Sequence, residues 1–228
     1  LENFEYHEFS LGSDIMKYLP KMVYHLDEPI GDPAAILTYL MCYNAKRRGR
    51  KVILSGMGAD EIFFGYRRHQ AFMLAKQLNS LPKPLIYFIK RFVDILPVKI
   101  GNRGLRLTRW SKKFLSFVGQ SDSESYRMSY SYYNDNELKD LFIPDIESCL
   151  DQIKNDHEAL FNKVDSSIQN KICYTDIHNF MKGLNLTYTD RSSMAASVEV
   201  RVPFIDKYVI ENGMAINGEQ KFKGKTLK

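Results

Sequence analysis

The chain has 228 residues, 44% of them hydrophobic and 26% charged, with 14 Tyr, 14 Phe and a single Trp. That balance excludes a disordered chain, and the length suffices for one sizeable core, or one core and a smaller satellite. The net charge of +5 is uneven: nine basic residues lie between Lys83 and Lys113 (Lys83, Lys90, Arg91, Lys99, Arg103, Arg106, Arg109, Lys112, Lys113) with one acid, Asp94. Such a stretch can meet nucleic-acid phosphates or lipid headgroups, but its ordinary meaning is a solvated helix face. No nucleic-acid partner is expected.

Apolar runs such as Leu85-Ile86-Tyr87-Phe88-Ile89 are far too short to cross a bilayer. No basic-then-apolar leader precedes them, so a cytoplasmic protein without a membrane partner is expected. Cys42, Cys149 and Cys173 are odd in number and widely spaced, which suggests reduced thiols packed as small apolar residues, not disulfides or zinc ligands. The histidines (His7, His25, His69, His157, His178) never fall at metal-binding helical spacing.

In chain order, Glu5–Leu11 reads as a short strand, broken by Gly12-Ser13. Asp14–Leu26 has helical spacing, with Ile15, Tyr18, Leu19, Met22 and Val23 on one face and Pro20 set to kink or split it. Asp27–Gly31 is a turn, and Asp32-Pro33 opens a helix running to about Arg48 and stopped by Gly49. Lys51–Leu54 holds the unbroken apolar run Val52-Ile53-Leu54, the pattern of a parallel strand buried on both faces. Glycine-rich Ser55–Glu61 follows at once. From Arg67 to about Lys182 the periodicity is helical, broken at Pro82, Pro84, Pro97, Gly101, Gly104, Gly119 and Pro144. Asp190–Ala196 is helical, Pro203 opens a short helix, and Asn217-Gly218 and Lys223-Gly224 mark turns. The expected organisation is an α/β nucleotide-binding portion over 1–66 and a helical portion of the same domain over 67–228.

The richest segment is Ser55–Tyr66, SGMGADEIFFGY. Strand, glycine turn and helix is the local plan of a nucleotide site in an open α/β sheet. Gly56 and Gly58 permit close backbone approach and angles barred to other residues, and free N–H groups at a helix start attract phosphate. Ser55 Oγ can donate to a nucleotide or accept from it. Asp60 supplies the kind of carboxylate that Mg²⁺ takes alongside phosphates and water. Neighbouring helical residues do not share a face, so one of Asp60 and Glu61 reaches the ligand and the other supports the fold.

LSGMGADEIFFGY closely resembles the second nucleotide-site motif of the asparagine synthetase family. Three further stretches resemble that family in the same order. They are His25-Leu26-Asp27-Glu28-Pro29 with Asp32-Pro33, the block from Asp190-Arg191-Ser192-Ser193-Met194-Ala195 through Ser197–Asp206, and Gly224–Lys228. The resemblance implies an adenine nucleotide α-hydrolase-like fold, a parallel sheet with helices and a helix-rich C-terminal part. It implies ATP and Mg²⁺ as cofactors and an acceptor carboxylate (aspartate or an analogue) attacking the α-phosphorus. The resulting acyl-adenylate would then be opened by ammonia from a glutaminase domain upstream. By position, Ser55 and Gly56 contact the nucleotide, Asp60 serves the metal, Tyr66 lines the site and Lys228 steadies phosphate charge. Met57 lies on the substrate side. Glu61, Asp190, Arg191, Glu199 and Arg201 support the site, the last four as pairs in a buried ionic lattice.

Two departures from the family pattern stand out. Met57 occupies a position where glutamine-dependent members carry Glu or Asp, and a thioether can neither act as a base nor pair with an ammonium; an acceptor other than aspartate fits better. The family's S-G-G-x-D-S loop is also absent between Leu1 and Lys228 and is expected upstream, so this segment alone should not make amide. A β-lactam synthetase-like ring closure and a non-catalytic basic helical module are the alternatives, and a homodimer is compatible with the sequence.

Overall fold

Proline divides the first helical stretch. The computed structural model describes residues 5–10, 12–100, 103–142 and 146–222. A 3₁₀ turn, Ser13–Tyr18, leads into α1, Leu19–Leu26, with Pro20 in its first turn, where the missing N–H costs nothing. Met22 and Leu26 are buried, whereas Leu19 and Val23 are 40% and 61% exposed; the apolar stripe is narrower than its spacing predicts. Helix α2, Ala34–Arg47, starts where the Asp32 carboxylate accepts from the Ala34 N–H at 2.9 Å, and Gly49 follows it at φ 76°. The expected strand at residues 5–11 does not form. Glu5–Ser10 takes no regular structure, every one of these residues is exposed, and Leu11 lies outside the described residues.

Strand β1, Val52–Leu54, hands the chain through Ser55–Gly58 to α3, Ala59–Phe63. Then come α4 (Arg67–Leu78), α5 (Lys83–Ile95), a minimal antiparallel hairpin of β2 (Lys99–Ile100) and β3 (Arg103–Gly104), and α6 (Arg106–Phe117). Pro82 and Pro84 mark the start of α5, where proline is tolerated. Next are α7 (Asp122–Tyr130), α8 (Asp135–Leu141), α9 (Ile146–Phe161) and α10 (Ile168–Asp176). A nine-residue π-helical stretch, Ile177–Asn185, runs into α11, Leu186–Ala195. Strand β4 is Glu199–Arg201, followed by a 3₁₀ turn at Pro203–Ile205, α12 (Lys207–Ala215) and α13 (Gly218–Lys221).

Two compact units arise. The first joins Leu1–Met57 to His178–Asp206; the second joins Gly58–Ile177 to Lys207–Lys228. In the first unit β1 pairs in parallel with β4, Val52 opposite Glu199 and Leu54 opposite Arg201. Its core sets Met22, Leu26, Ile36, Tyr39 and Leu40 against Tyr188, Ala196 and Val198. The class is as expected, helix-rich α/β with a small parallel sheet, but β1 is not buried on both faces. Ile53 packs on the core, while Val52 and Leu54 are 43% and 72% exposed. One strand borders β1 among the described residues, and a two-stranded sheet covers little of either face.

The second unit has two apolar clusters. One gathers Phe64, Phe72, Tyr126, Phe161, Ile172 and Cys173; the other gathers Ala75, Leu115, Phe117 and Val118. Cys42 and Cys173 are buried and burial pushes their thiols up, to about 11 and about 12. Cys149 is exposed, contrary to a packed role for all three.

His157 makes this unit acid-sensitive. Its Nε2 donates to the Ser123 carbonyl at 3.1 Å and its Nδ1 accepts from the Tyr130 hydroxyl at 3.0 Å, a pattern that requires the neutral ring. Burial lowers its pKa below the usual 6.5, despite the opposing hydrogen bond to Ser123. The unfolded chain therefore binds the proton more readily, and stability falls as pH drops from the unfolded pKa through the folded one. Chemical denaturation from pH 8 to pH 5 should show a loss starting at about 6.5 that His157→Gln removes; an identical pH profile in the variant would refute this.

Candidate functional site

The segment singled out by sequence crosses from one unit to the other between Met57 and Gly58. In the first unit, the Ser55 N–H donates to the Arg201 carbonyl at 2.8 Å, extending the β1–β4 ladder by one rung. Ser55 Oγ accepts from the Met57 N–H at 3.2 Å, which folds the chain tightly beyond the strand. Gly56 is exposed, and a Cβ built on it would meet nothing within 4 Å. It does not take a left-handed angle, against expectation; its contribution is uncovered backbone. The Met57 thioether packs against the core of the first unit and accepts from Thr189 Oγ1 at 3.4 Å.

In the second unit, Gly58 does turn left-handed, at φ 92°, as the residue before α3. That helix has five residues, too few for a strong dipole, so this segment presents a carboxylate more than a helix field. The two acids differ in burial: Asp60 is exposed, whereas Glu61 is 1% exposed and accepts from the Tyr66 hydroxyl at 2.5 Å. Tyr66 thus serves the buried acid here. Phe64 ends α3 at φ 65°, a costly angle for a bulky residue, and its ring stacks on His69 at 4.3 Å.

Gly65 seats Asp60. Its N–H donates to the Asp60 carbonyl at 2.9 Å. A Cβ at this position would lie 1.9 Å from Asp60 Oδ1 and 3.1 Å from its Cα, so any side chain displaces the acid. A single open carboxylate fits Mg²⁺ where phosphates and water complete the shell; no group of three or more His, Cys, Asp or Glu suited to a metal occurs among the described residues.

Sequence reasoning missed the polar network behind this turn. Asp176, fully buried on α10, accepts from Arg68 and from His69 Nε2, each at 2.8 Å, and from the Tyr126 hydroxyl. The Arg68 guanidinium also lies 3.8 Å over the Tyr66 ring. Burial would raise the Asp176 carboxyl, but the His69 hydrogen bond and the Arg68 charge outweigh it and hold the acid below its ordinary value. Burial likewise pushes the Tyr126 hydroxyl well up. Nothing in the local sequence around Asp176 signals this, because its partners lie 50 to 108 residues away.

The expected buried ionic lattice is not present. Arg191 pairs with Asp27 at 2.9 Å with both side chains about half exposed, and Asp190 is exposed. Glu199 and Arg201 pair at 2.8 Å across one face of β4, 55% and 64% exposed. Residues two apart on a strand share a face, and this face is open. Lys228 lies outside the described residues.

A model of the family described as asparagine synthase matches residues 3–228. The chain belongs to the asparagine synthase family. A glutamine-hydrolyzing asparagine synthetase 1 of Bacillus subtilis is 32% identical over 221 residues, 94% of this chain and 32% of the relative. A putative glutamine-hydrolyzing asparagine synthetase of Mycobacterium tuberculosis is 27% identical over 198 residues, 87% of this chain and 29% of the relative. The chain therefore spans about a third of the length of these relatives. No solved structure matches. Membership of the asparagine synthase family rests on nearly the whole chain, so the Ser55–Tyr66 segment sits inside the matched region.

Proposed function

We propose that this chain is the nucleotide-handling part of an ATP-dependent amide-forming enzyme with an adenine nucleotide α-hydrolase-like fold. The observations that carry the reading are, in the first unit, the uncovered Gly56 and, in the second, Asp60 exposed on its glycine seat. A ligand-binding turn at the C-terminal end of a parallel strand is where open α/β sheets place their sites.

In this reading an acceptor carboxylate attacks the α-phosphorus of ATP, pyrophosphate leaves, and ammonia from a glutaminase domain displaces AMP from the acyl-adenylate. Ser55 Oγ and the Gly56 backbone would orient the nucleotide, and Asp60 would hold Mg²⁺ beside its phosphates. Mg²⁺ supplies charge neutralisation there. Lys228 adds a cation on the phosphates. The α3–α4 turn, braced by Glu61 and Tyr66, keeps Asp60 in one position, which matters because positioning supplies much of the rate in phosphoryl chemistry. Met57 and Thr189 form the substrate-side wall. An apolar sulfur offers no counter-charge for an ammonium, so the favoured acceptor is a carboxylic acid lacking the α-ammonium of aspartate.

The test is pyrophosphate release from ATP and Mg²⁺ by the complete chain, against a panel of carboxylic acids. Release that depends on an acid is expected, with acids that lack an α-ammonium exceeding aspartate. Acid-independent hydrolysis, or none with any acid, would remove the reading; preference for aspartate would remove the assignment of Met57 alone.

A further inference from the structure

The second unit carries an exposed apolar stripe far from the glycine turn in sequence. On α5, Leu85, Phe88, Phe92 and Ile95 are 45%, 68%, 67% and 77% exposed. Their spacing of three, four and three residues puts them on one line of the helix. Ile86 and Val93, on another line, pack on the Ala75–Leu115–Phe117–Val118 cluster, so the helix is already anchored without the exposed stripe. Beyond α5, Leu96 and Val98 are 36% and 38% exposed. On α6, Leu107 and Trp110 are 76% and 54% exposed, with the Arg106 guanidinium 4.3 Å over the Trp110 ring.

Charge surrounds this apolar surface. Lys83 and Arg91 on α5, Lys99, and Arg106 and Arg109 on α6 are all exposed, and Asp94 is the one acid between residues 83 and 113. Aliphatic and aromatic side chains on one line, flanked by cations, are the composition of a helix that lies in a headgroup layer. Its apolar stripe enters the acyl boundary while the cations meet lipid phosphates.

We propose that α5, with the adjoining exposed part of α6, is a docking surface for an anionic lipid bilayer. A second copy of this chain is disfavoured as occupant, because a twofold contact through one patch would set these exposed cations against their own copies. Nucleic acid would use the cations and isolated stacking rings but has no use for Leu85, Ile95 and Leu107. Attachment of this kind differs from crossing: α5 has 13 residues against the ~20 needed to span, and no described helix is long and apolar enough to do so. The expectation of no membrane partner rested on spanning length and the lack of a leader, neither of which bears on attachment to a surface. The inference is independent of the enzymatic reading.

Sedimentation of the complete chain with vesicles tests it. Binding is expected to vesicles containing about 30% phosphatidylglycerol in phosphatidylcholine, with none to phosphatidylcholine alone, and weakening as salt rises. Phe88→Glu with Phe92→Glu should weaken binding at least about tenfold with unchanged circular dichroism and melting; Phe88→Ser with Phe92→Ser repeats the test if the acidic pair alters melting. Absence of binding to the anionic vesicles overturns the proposal, and so does binding that both Phe variants leave intact. A fall in oligomeric mass in the variants would assign the surface to a subunit contact, and duplex DNA displacing the protein from vesicles without dependence on Phe88 and Phe92 would assign it to nucleic acid.

Discussion

Asp60→Ala in the complete chain should cut acid-dependent pyrophosphate release by roughly 10²-fold or more, the scale seen when a group stabilising transition-state charge is removed. The expectation follows from what stands near it. Glu61 cannot replace it, being buried and bound to Tyr66, and Asp60 is the exposed acid on α3. Gly65→Ala should reproduce most of the loss although it deletes no functional group, because its new Cβ falls 1.9 Å from Asp60 Oδ1. The two variants separate in a Mg²⁺ titration: Gly65→Ala shifts the requirement upward and recovers in part at high metal, whereas Asp60→Ala does not. Unchanged turnover in Asp60→Ala would dismiss it as the metal-side residue.

The largest stability effect belongs to Asp176. Asp176→Ala leaves the Arg68 guanidinium and the His69 and Tyr126 donors without the acceptor they share. Removing one member of a buried charged network costs about 3–5 kcal/mol, which for a chain of this size lowers the melting temperature by roughly 6–20 °C. Tyr126→Phe gives up the hydroxyl's bond to Asp176 and the one it accepts from Arg68 at 3.3 Å, and should cost about 1.5–3 kcal/mol. The sign of the pH effect follows from the lowered Asp176 carboxyl. The network's contribution is fully present above the unfolded carboxyl pKa of 3.8 and is lost as pH falls through the folded value. A melting temperature for Asp176→Ala within about 2 °C of the parent, less than 1 kcal/mol here, would show the network to be energetically idle.

Some of this was legible in the residues. Asp32-Pro33 and Gly49 bracketed α2 because capping and left-handed termination are local chemistry, decided within a few residues. The contrast in burial between Asp60 and Glu61 followed from helix geometry, which gives neighbouring residues different faces. Other features were not legible. Glu199-Val200-Arg201 reads as charges around one valine, and only its pairing with Val52–Leu54 makes it a strand. The apolar run of β1 promised burial on both faces, but burial depends on which neighbours a strand has, and that is a tertiary property. Asp176 meets Arg68, His69 and Tyr126 from across 50 to 108 residues, beyond any motif window. The exposed Phe88 and Phe92 illustrate the reverse case: periodicity gave the helix correctly without telling which part of its apolar face would be covered.

The discontinuous first unit has a consequence for biosynthesis. Its β1 finds its partner strand 145 residues later, counted from Leu54 to Glu199. At ribosomal rates of about 5–20 residues per second, Val52–Leu54 waits roughly 7–30 s for that partner. The intervening Gly58–Ile177, by contrast, holds most of its own unit and can begin to collapse while the ribosome is still working. The nascent chain thus carries an uncovered apolar edge during that interval, and slowing translation between the codons for Gly58 and Val198 should lengthen its dependence on chaperones.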